Sequence, residues 1–304
     1  MVVMRSVMYT PGNNYRMIEK LPTLPADVMV LDLEDSVPPA EKETAKFMVR
    51  DAIPNVAKCG AYVYSRINDW RTGLTEGDVE AIVQDGLDGV VLSKTEGRDD
   101  VVRLDDKLTK LEKERGLKLG TVAIQCLIET AKGVVNAYES AIASKRVNSL
   151  VFGAVDYTRD MRITLTKEGG EILVARCWTA IVARAAGCIA IDPPYPAYRD
   201  AEGFIKDSRA GQQFGFEGRM LIHPSQIEPS HECYAPTKEQ MEYAKEVVQV
   251  FEEGMKAGSA SVPLRGQMLD VAVYRTQRDV LAAAEAVEAW LKEKEERRKK
   301  RSSA

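Results

Sequence analysis

A chain of 304 residues, 45% of them hydrophobic, is long enough to bury the core of one large α/β domain or two smaller ones. Its net charge of −4 excludes a nucleic-acid role built on phosphate neutralisation, and no eighteen apolar residues run together, so no membrane span is expected. Five scattered cysteines and an N-terminus without an apolar signal core read as reduced thiols in a cytoplasmic protein.

Eight short apolar runs recur at strand–helix spacing: Arg5–Tyr9, Val28–Leu33, Ala61–Ile67, Gly89–Ser93, Val122–Ile128, Leu150–Val155, Cys188–Ile191 and Arg219–Ile222. They are continuous rather than alternating, as in parallel strands buried on both faces. Eight such units predict an α/β fold, a (β/α)8 TIM barrel over residues 1–232, with its working groups where strands end. A doubly wound open sheet is the rival, but neither G-x-G-x-x-G nor a Walker motif is present. Between the runs, Asp99–Lys113 carries Val102, Leu104, Leu108 and Leu111 on one helical stripe, with Asp as its N-cap. Lys238–Met255 reads as a second amphipathic helix, Gly258–Gly266 as a linker, and Thr276 to about Arg298 as a last helix with Val280, Ala284, Val287 and Leu291 on one face. Residues 233–304 therefore form a C-terminal helical extension whose apolar stripe must cover either its own barrel or a neighbouring subunit, and packing on a neighbour is the expectation. The segment Lys292–Arg301 carries seven positive and three negative residues and reads as a solvated, frayed end.

Chemistry concentrates at strand ends. Glu129 closes the fifth run and Asp156 follows the sixth; two lone carboxylates without Cys or His nearby suit Mg²⁺, a hard cation that keeps positions open for substrate oxygens. Two ordinary acids facing water are the alternative. Asp32, Glu34 and Asp35 end the second run, Arg66 and Asn68 the third, Lys94 the fourth and His223 the eighth. On one rim the acids would need cations, and Arg66, Lys94 and a metal supply them.

Several strings occur together in order: Arg5-Ser6-Val7-Met8-Tyr9-Thr10-Pro11-Gly12-Asn13, Leu31-Asp32-Leu33-Glu34-Asp35-Ser36-Val37, Arg66-x-Asn68, Ile128-Glu129, Phe152-Gly153-x-x-Asp156-Tyr157, Ile222-His223-Pro224-x-Gln226-Ile227 and Tyr234-Ala235-Pro236-Thr237. With them the chain resembles the citrate lyase β-subunit family (HpcH/HpaI aldolase/citrate lyase), which also holds malyl-CoA and citramalyl-CoA lyases. The resemblance spans roughly residues 5 to 285. It implies a lyase that cleaves a 3-hydroxyacyl thioester of the citryl type into a 2-oxo acid, such as oxaloacetate, and an acetyl thioester. It further implies Mg²⁺ held by Glu129 and Asp156, and Arg66 clamping the oxo-acid carboxylate. Glu34 and Asp35 would orient Arg66 or metal-bound water. Asp270 would reach a neighbour's thioester methyl as acid/base, and Asn13, Arg16 and Lys20 would contact phosphates of CoA or of an acyl carrier protein. A homotrimer and citrate lyase complex subunits are the implied partners. Departures are Val155, where the family often carries an acid, Ser93 in place of a common Pro, and Pro193-Pro194. Rival readings are a free-standing malyl-CoA or citramalyl-CoA lyase, a carrier-docking subunit without turnover, and a class I aldolase using Lys94 as a Schiff base.

Overall fold

The computed structural model describes residues 2–302. Eight parallel strands close into a barrel in chain order: β1 (Ser6–Pro11), β2 (Val28–Asp32), β3 (Tyr62–Ile67), β4 (Gly89–Leu92), β5 (Ala123–Ile128), β6 (Val147–Phe152), β7 (Ile189–Asp192) and β8 (Gly218–Leu221). Val7, Val30, Val91, Leu127, Val151 and Ile191 fill the interior. Met29, Leu31, Val63, Val90 and Leu150 face outward, into the core beneath the helices. Two apolar faces on each strand are why the runs show no alternation.

Every expected run becomes a strand; the largest displacement is at β6. Its first half is polar, because Asn148 donates to the Tyr64 hydroxyl (2.7 Å) and Gln125 donates to Ser149 Oγ (2.8 Å). Gly153 ends the strand, and a helix (Ala154–Asp160) follows at once. Asp156 therefore sits in a helical first turn, not on the strand tip.

Helix Arg98–Glu114 buries Val101, Leu104, Leu108 and Leu111, while Val102 is exposed; its N-cap is Gly97, with Asp99 and Asp100 in the first turn. Helix Lys238–Lys256 opens with a capping box between Thr237 and Gln240. The expected linker is instead a hairpin of β9 (Val262–Leu264) and β10 (Gln267–Leu269). Arg265 and Gly266 turn it at φ 49° and 77°, as a two-residue hairpin requires. Three-residue strands are too short for a period to register in sequence.

The last helix runs Val271–Ser302 and crosses beneath its own barrel. Trp290 is 2% exposed and Leu291 52%, so the packed stripe turns inward one residue earlier than expected. The basic end is not frayed. Lys294 donates to the carbonyls of Pro25 and Ala26 (2.8 and 2.7 Å), and Arg297 to Gly60 O (3.1 Å) and Asp88 (2.7 Å). Among the described residues, no helix is long and apolar enough to cross a membrane.

Candidate active site

The C-terminal rim of the barrel gathers the charged groups. Asp32, at the end of β2, pairs in register with Arg66 on β3. Its carboxylate accepts from Arg66 Nε (2.6 Å) and Nη2 (2.5 Å), from the Glu34 N–H (2.9 Å) and from Ser36. Burial opposes ionisation of Asp32, but the guanidinium and these donors outweigh it and hold the carboxyl below its ordinary range. Glu34 is buried beside Arg66 Nη1 (3.0 Å) and the Lys94 ammonium. Desolvation pushes the Glu34 carboxyl up, against the pull of both cations. Asp35 is half exposed and stands 3.7 Å from Lys94 Nζ.

Lys94 turns the chain at the tip of β4 in a left-handed conformation (φ 46°), rare for a residue with a side chain. That turn presents its N–H to Glu129 Oε1 at 2.9 Å. Burial works against the ammonium charge, but Glu34 and Glu129 more than compensate, so Lys94 stays a cation. Glu129 closes β5, 2% exposed. Burial, with Asp156 and Glu34 adding repulsion, pushes its carboxyl up to about 8; Arg66 and Lys94 offset only part of this. Gly153 leaves room for it, since a Cβ there would lie 2.5 Å from Glu129 Cβ. Asp156 meets Arg159 at 2.9 Å. Among the described residues, no three Cys, His, Asp or Glu side chains converge as a metal cage.

The structure thus brings Glu34, Asp35, Arg66, Lys94, Glu129 and Asp156 together. Asn13, Arg16 and Lys20 lie on the loop and helix (Tyr15–Lys20) just beyond β1; Asn13 donates to Glu41 (2.6 Å), while Arg16 and Lys20 are exposed. Asp270 is not on this rim. It is exposed at the start of the last helix, where its Oδ1 accepts from the Val273 N–H (2.8 Å). Sequence reasoning gave the support of Arg66 to Glu34 and Asp35 and passed over Asp32, which makes the bidentate pair. The strand register of Asp32 and Arg66 was the signal available. Tyr9 was also missed: its ring lies 5.4 Å from the Arg66 guanidinium, and its buried hydroxyl has no partner among the described residues.

The model of the HpcH/HpaI aldolase/citrate lyase family matches residues 5–224. The chain belongs to that family. A citrate lyase subunit beta from Leuconostoc mesenteroides subsp. cremoris is 37% identical over 282 residues, covering 93% of each chain. The mitochondrial citramalyl-CoA lyase of Mus musculus is 30% identical over 293 residues, covering 93% of this chain and 86% of that one. The crystal structure of CitE from Mycobacterium tuberculosis, in complex with magnesium, acetoacetate and coenzyme A, aligns with a TM-score of 0.73 at 25% identity, over 93% of this chain and 98% of that one. Family membership, with these relatives, makes the chain a lyase of this family, carried on a closed eight-stranded barrel.

Proposed function

We propose that this protein is a Mg²⁺-dependent carbon–carbon lyase that splits a citryl-type 3-hydroxyacyl thioester into a 2-oxo acid and an acetyl thioester. The observation that carries the reading is Glu129, a carboxylate buried where its own chain supplies too little positive charge to ionise it easily. Five rim carboxylates, Asp32, Glu34, Asp35, Glu129 and Asp156, face Arg66 and Lys94, with Arg159 at the edge. A divalent cation fits that imbalance. Two carboxylate ligands, Glu129 and Asp156, would leave its other positions to water and to substrate oxygens, the usual habit of Mg²⁺. Bound there, Mg²⁺ supplies Lewis-acid stabilisation of the oxygen that becomes the ketone.

The remaining steps belong to the chain. Arg66 has two guanidinium hydrogens beyond those given to Asp32 and Glu34, and it presents them to the oxo-acid carboxylate. Asp32 holds the guanidinium plane, and Lys94 holds Glu129 through its N–H. Cleavage passes the hydroxyl proton to a rim carboxylate and leaves the electron pair on the thioester α-carbon. A carboxylic acid then returns a proton to that carbon, giving the acetyl thioester. Asp270 of a neighbouring copy is the group assigned this step. Its own helix runs under the barrel, where Thr276, Val280 and Val287 line a cavity with the strand-entry residues Val3, Ile189 and Glu217. Asp270 lies exposed just upstream of that crossing, on the helix that packs at the strand entrances, which supports action in trans. An exposed apolar face beside the Asp156 helix (Val135, Leu173, Val174, Trp178, Ile181) supports a homo-oligomer, with a trimer as the simplest form.

The ammonium charge held on Lys94 argues against the Schiff-base reading, which needs a neutral amine. Turnover of citryl-, citramalyl- and malyl-CoA with and without Mg²⁺ tests the proposal. Absence of cleavage for all three would refute it, and preference for citramalyl-CoA would favour the free-standing enzyme. Carrier-linked substrate in the same assay tells acyl carrier protein from CoA and tests for a docking subunit.

A further inference from the structure

The barrel's underside holds the last helix by more contacts than packing alone requires. Trp290 stacks on Tyr62 with ring centroids 4.2 Å apart and planes 10° apart. Its indole N–H donates to Asp27 Oδ1 (2.8 Å). Asp27 is fully buried and also accepts from the Arg5 N–H, Nε and Nη2 at 2.9 to 3.0 Å. One and two turns further on, Lys294 caps the carbonyls of Pro25 and Ala26, and Arg297 Nη2 donates to both carboxylate oxygens of Asp88 at 2.7 Å. A side chain at Gly60 (φ 82°) would collide with the Lys294 carbonyl, so the helix lies directly on the strand entrances.

From this weld the helix runs back to Val271 without a single Gly or Pro. At its far end Tyr274 stacks on Phe251 (4.9 Å, 23°) and donates to Glu252 (3.0 Å), locking the hairpin and the helix Lys238–Lys256 to it. Asp270 and Trp290 are therefore the two ends of a rod roughly 30 Å long at 1.5 Å per residue. On a rod of that length, about 2° of slack at the weld displaces Asp270 by about 1 Å, and a misplacement of that size costs up to ~100-fold in rate.

We infer that the C-terminal helix is an anchored arm, and that Trp290, Lys294 and Arg297 are positioning residues that set where Asp270 stands in the neighbouring copy's site. This rests on the assignment of Asp270 to the thioester methyl in trans. The weld residues touch neither substrate nor metal, so their loss moves the arm and leaves the rim of the same subunit as it was.

The test uses the full-length oligomer, its size verified for each variant, assayed well below its melting temperature. Trp290→Ala should lower kcat and proton exchange at the thioester methyl by tenfold or more. Oxo-acid affinity and the Mg²⁺ requirement should stay unchanged. Trp290→Phe, which keeps the stack, should recover most of the loss. Arg297→Ala, at a partly exposed site, gives the same readout should Trp290→Ala fail to fold. Mixing Trp290→Ala with Glu129→Ala subunits should restore turnover, since one supplies an intact rim and the other an intact arm. A lower melting temperature with unchanged kcat in both Trp290→Ala and Arg297→Ala would make the weld a stabilising contact only and overturn the inference. Asp270→Asn separates the two levels: no effect on exchange there refutes the trans assignment itself, whereas a strong effect with inert weld variants refutes the anchored arm alone.

Discussion

Mg²⁺ binding should be strongly pH-dependent, because Glu129 must lose a proton to become a ligand. In the metal-free protein its carboxyl is pushed up to about 8, burial being the main cause. Proton competition then weakens apparent Mg²⁺ affinity about tenfold at pH 7 and ~100-fold at pH 6 relative to the plateau above pH 9. An ordinary carboxyl near 4.5 would give a flat curve over the same range. Calorimetric titration with Mg²⁺ at pH 7 in two buffers of different ionisation enthalpy should report release of about 0.9 proton per ion bound. Folding stability carries the same signature with a definite sign. A carboxyl raised in the fold contributes stability that is complete below its unfolded value of 4.5 and is lost as pH rises through about 8. At about 1.4 kcal/mol per unit, Glu129 by itself should cost the metal-free protein on the order of 5 kcal/mol across that window, read as the difference between the wild type and Glu129→Gln, and Mg²⁺ should restore it. Glu129→Gln should remove this component of the stability curve and abolish tight metal binding; Asp156→Ala should also abolish turnover while preserving the fold. Affinity independent of pH from 6 to 8, without proton release, would refute this account of Glu129.

Three further outcomes are expected. Arg66→Lys should raise the oxo-acid Kd by ten- to a hundredfold, the loss of a bidentate charged contact worth roughly 1.5–3 kcal/mol, while CoA affinity stays constant; unchanged kinetics would return Arg66 to a purely structural pair with Asp32. Asp270→Asn should keep Mg²⁺ and oxo-acid binding but suppress exchange at the thioester methyl, and mixing with Glu129→Ala subunits should rescue it; failed rescue despite verified subunit exchange would place Asp270 in its own chain or outside the reaction. His231, beside Ser6 (2.8 Å) beneath the barrel, has its pKa pushed down to about 4, by burial first; Asp27 opposes the shift, and Arg5 and Lys294 add to it. Its neutral form contributes stability that is complete above pH 6.5 and is lost as pH falls toward 4, roughly 3 kcal/mol in all. Urea unfolding in the Glu129→Gln background, where the opposing carboxyl is absent, should show that loss, and adding His231→Gln should remove it.

Strand positions were legible because a parallel barrel strand is apolar on both faces, so Val28–Leu33 or Val122–Ile128 stands out against amphipathic helices on either side. The rim carboxylates were legible for the same reason: a charge that ends an apolar run has little to do but face the barrel mouth. At β6 that logic failed. Asn148 and Ser149 are satisfied inside the barrel by Tyr64 and Gln125, and a polar residue with a buried partner looks in sequence like a loop residue. The hairpin at Val262–Leu269 was hidden by its shortness, and the order of Lys292–Arg301 by its charge. A run of lysines and arginines reads as solvated until the carbonyls of Pro25 and Ala26 and the carboxylate of Asp88 are placed against it. The sequence by itself determined the barrel, the family and the acids and cations of the rim, all of which follow from local pattern. Which carboxylate holds Arg66, how hard Glu129 resists ionisation, and how the last helix is held against the strand entrances were decided only by the tertiary structure. Each depends on distances and burial between residues far apart in the chain, and a Coulomb energy or a desolvation cost has no value until those distances exist.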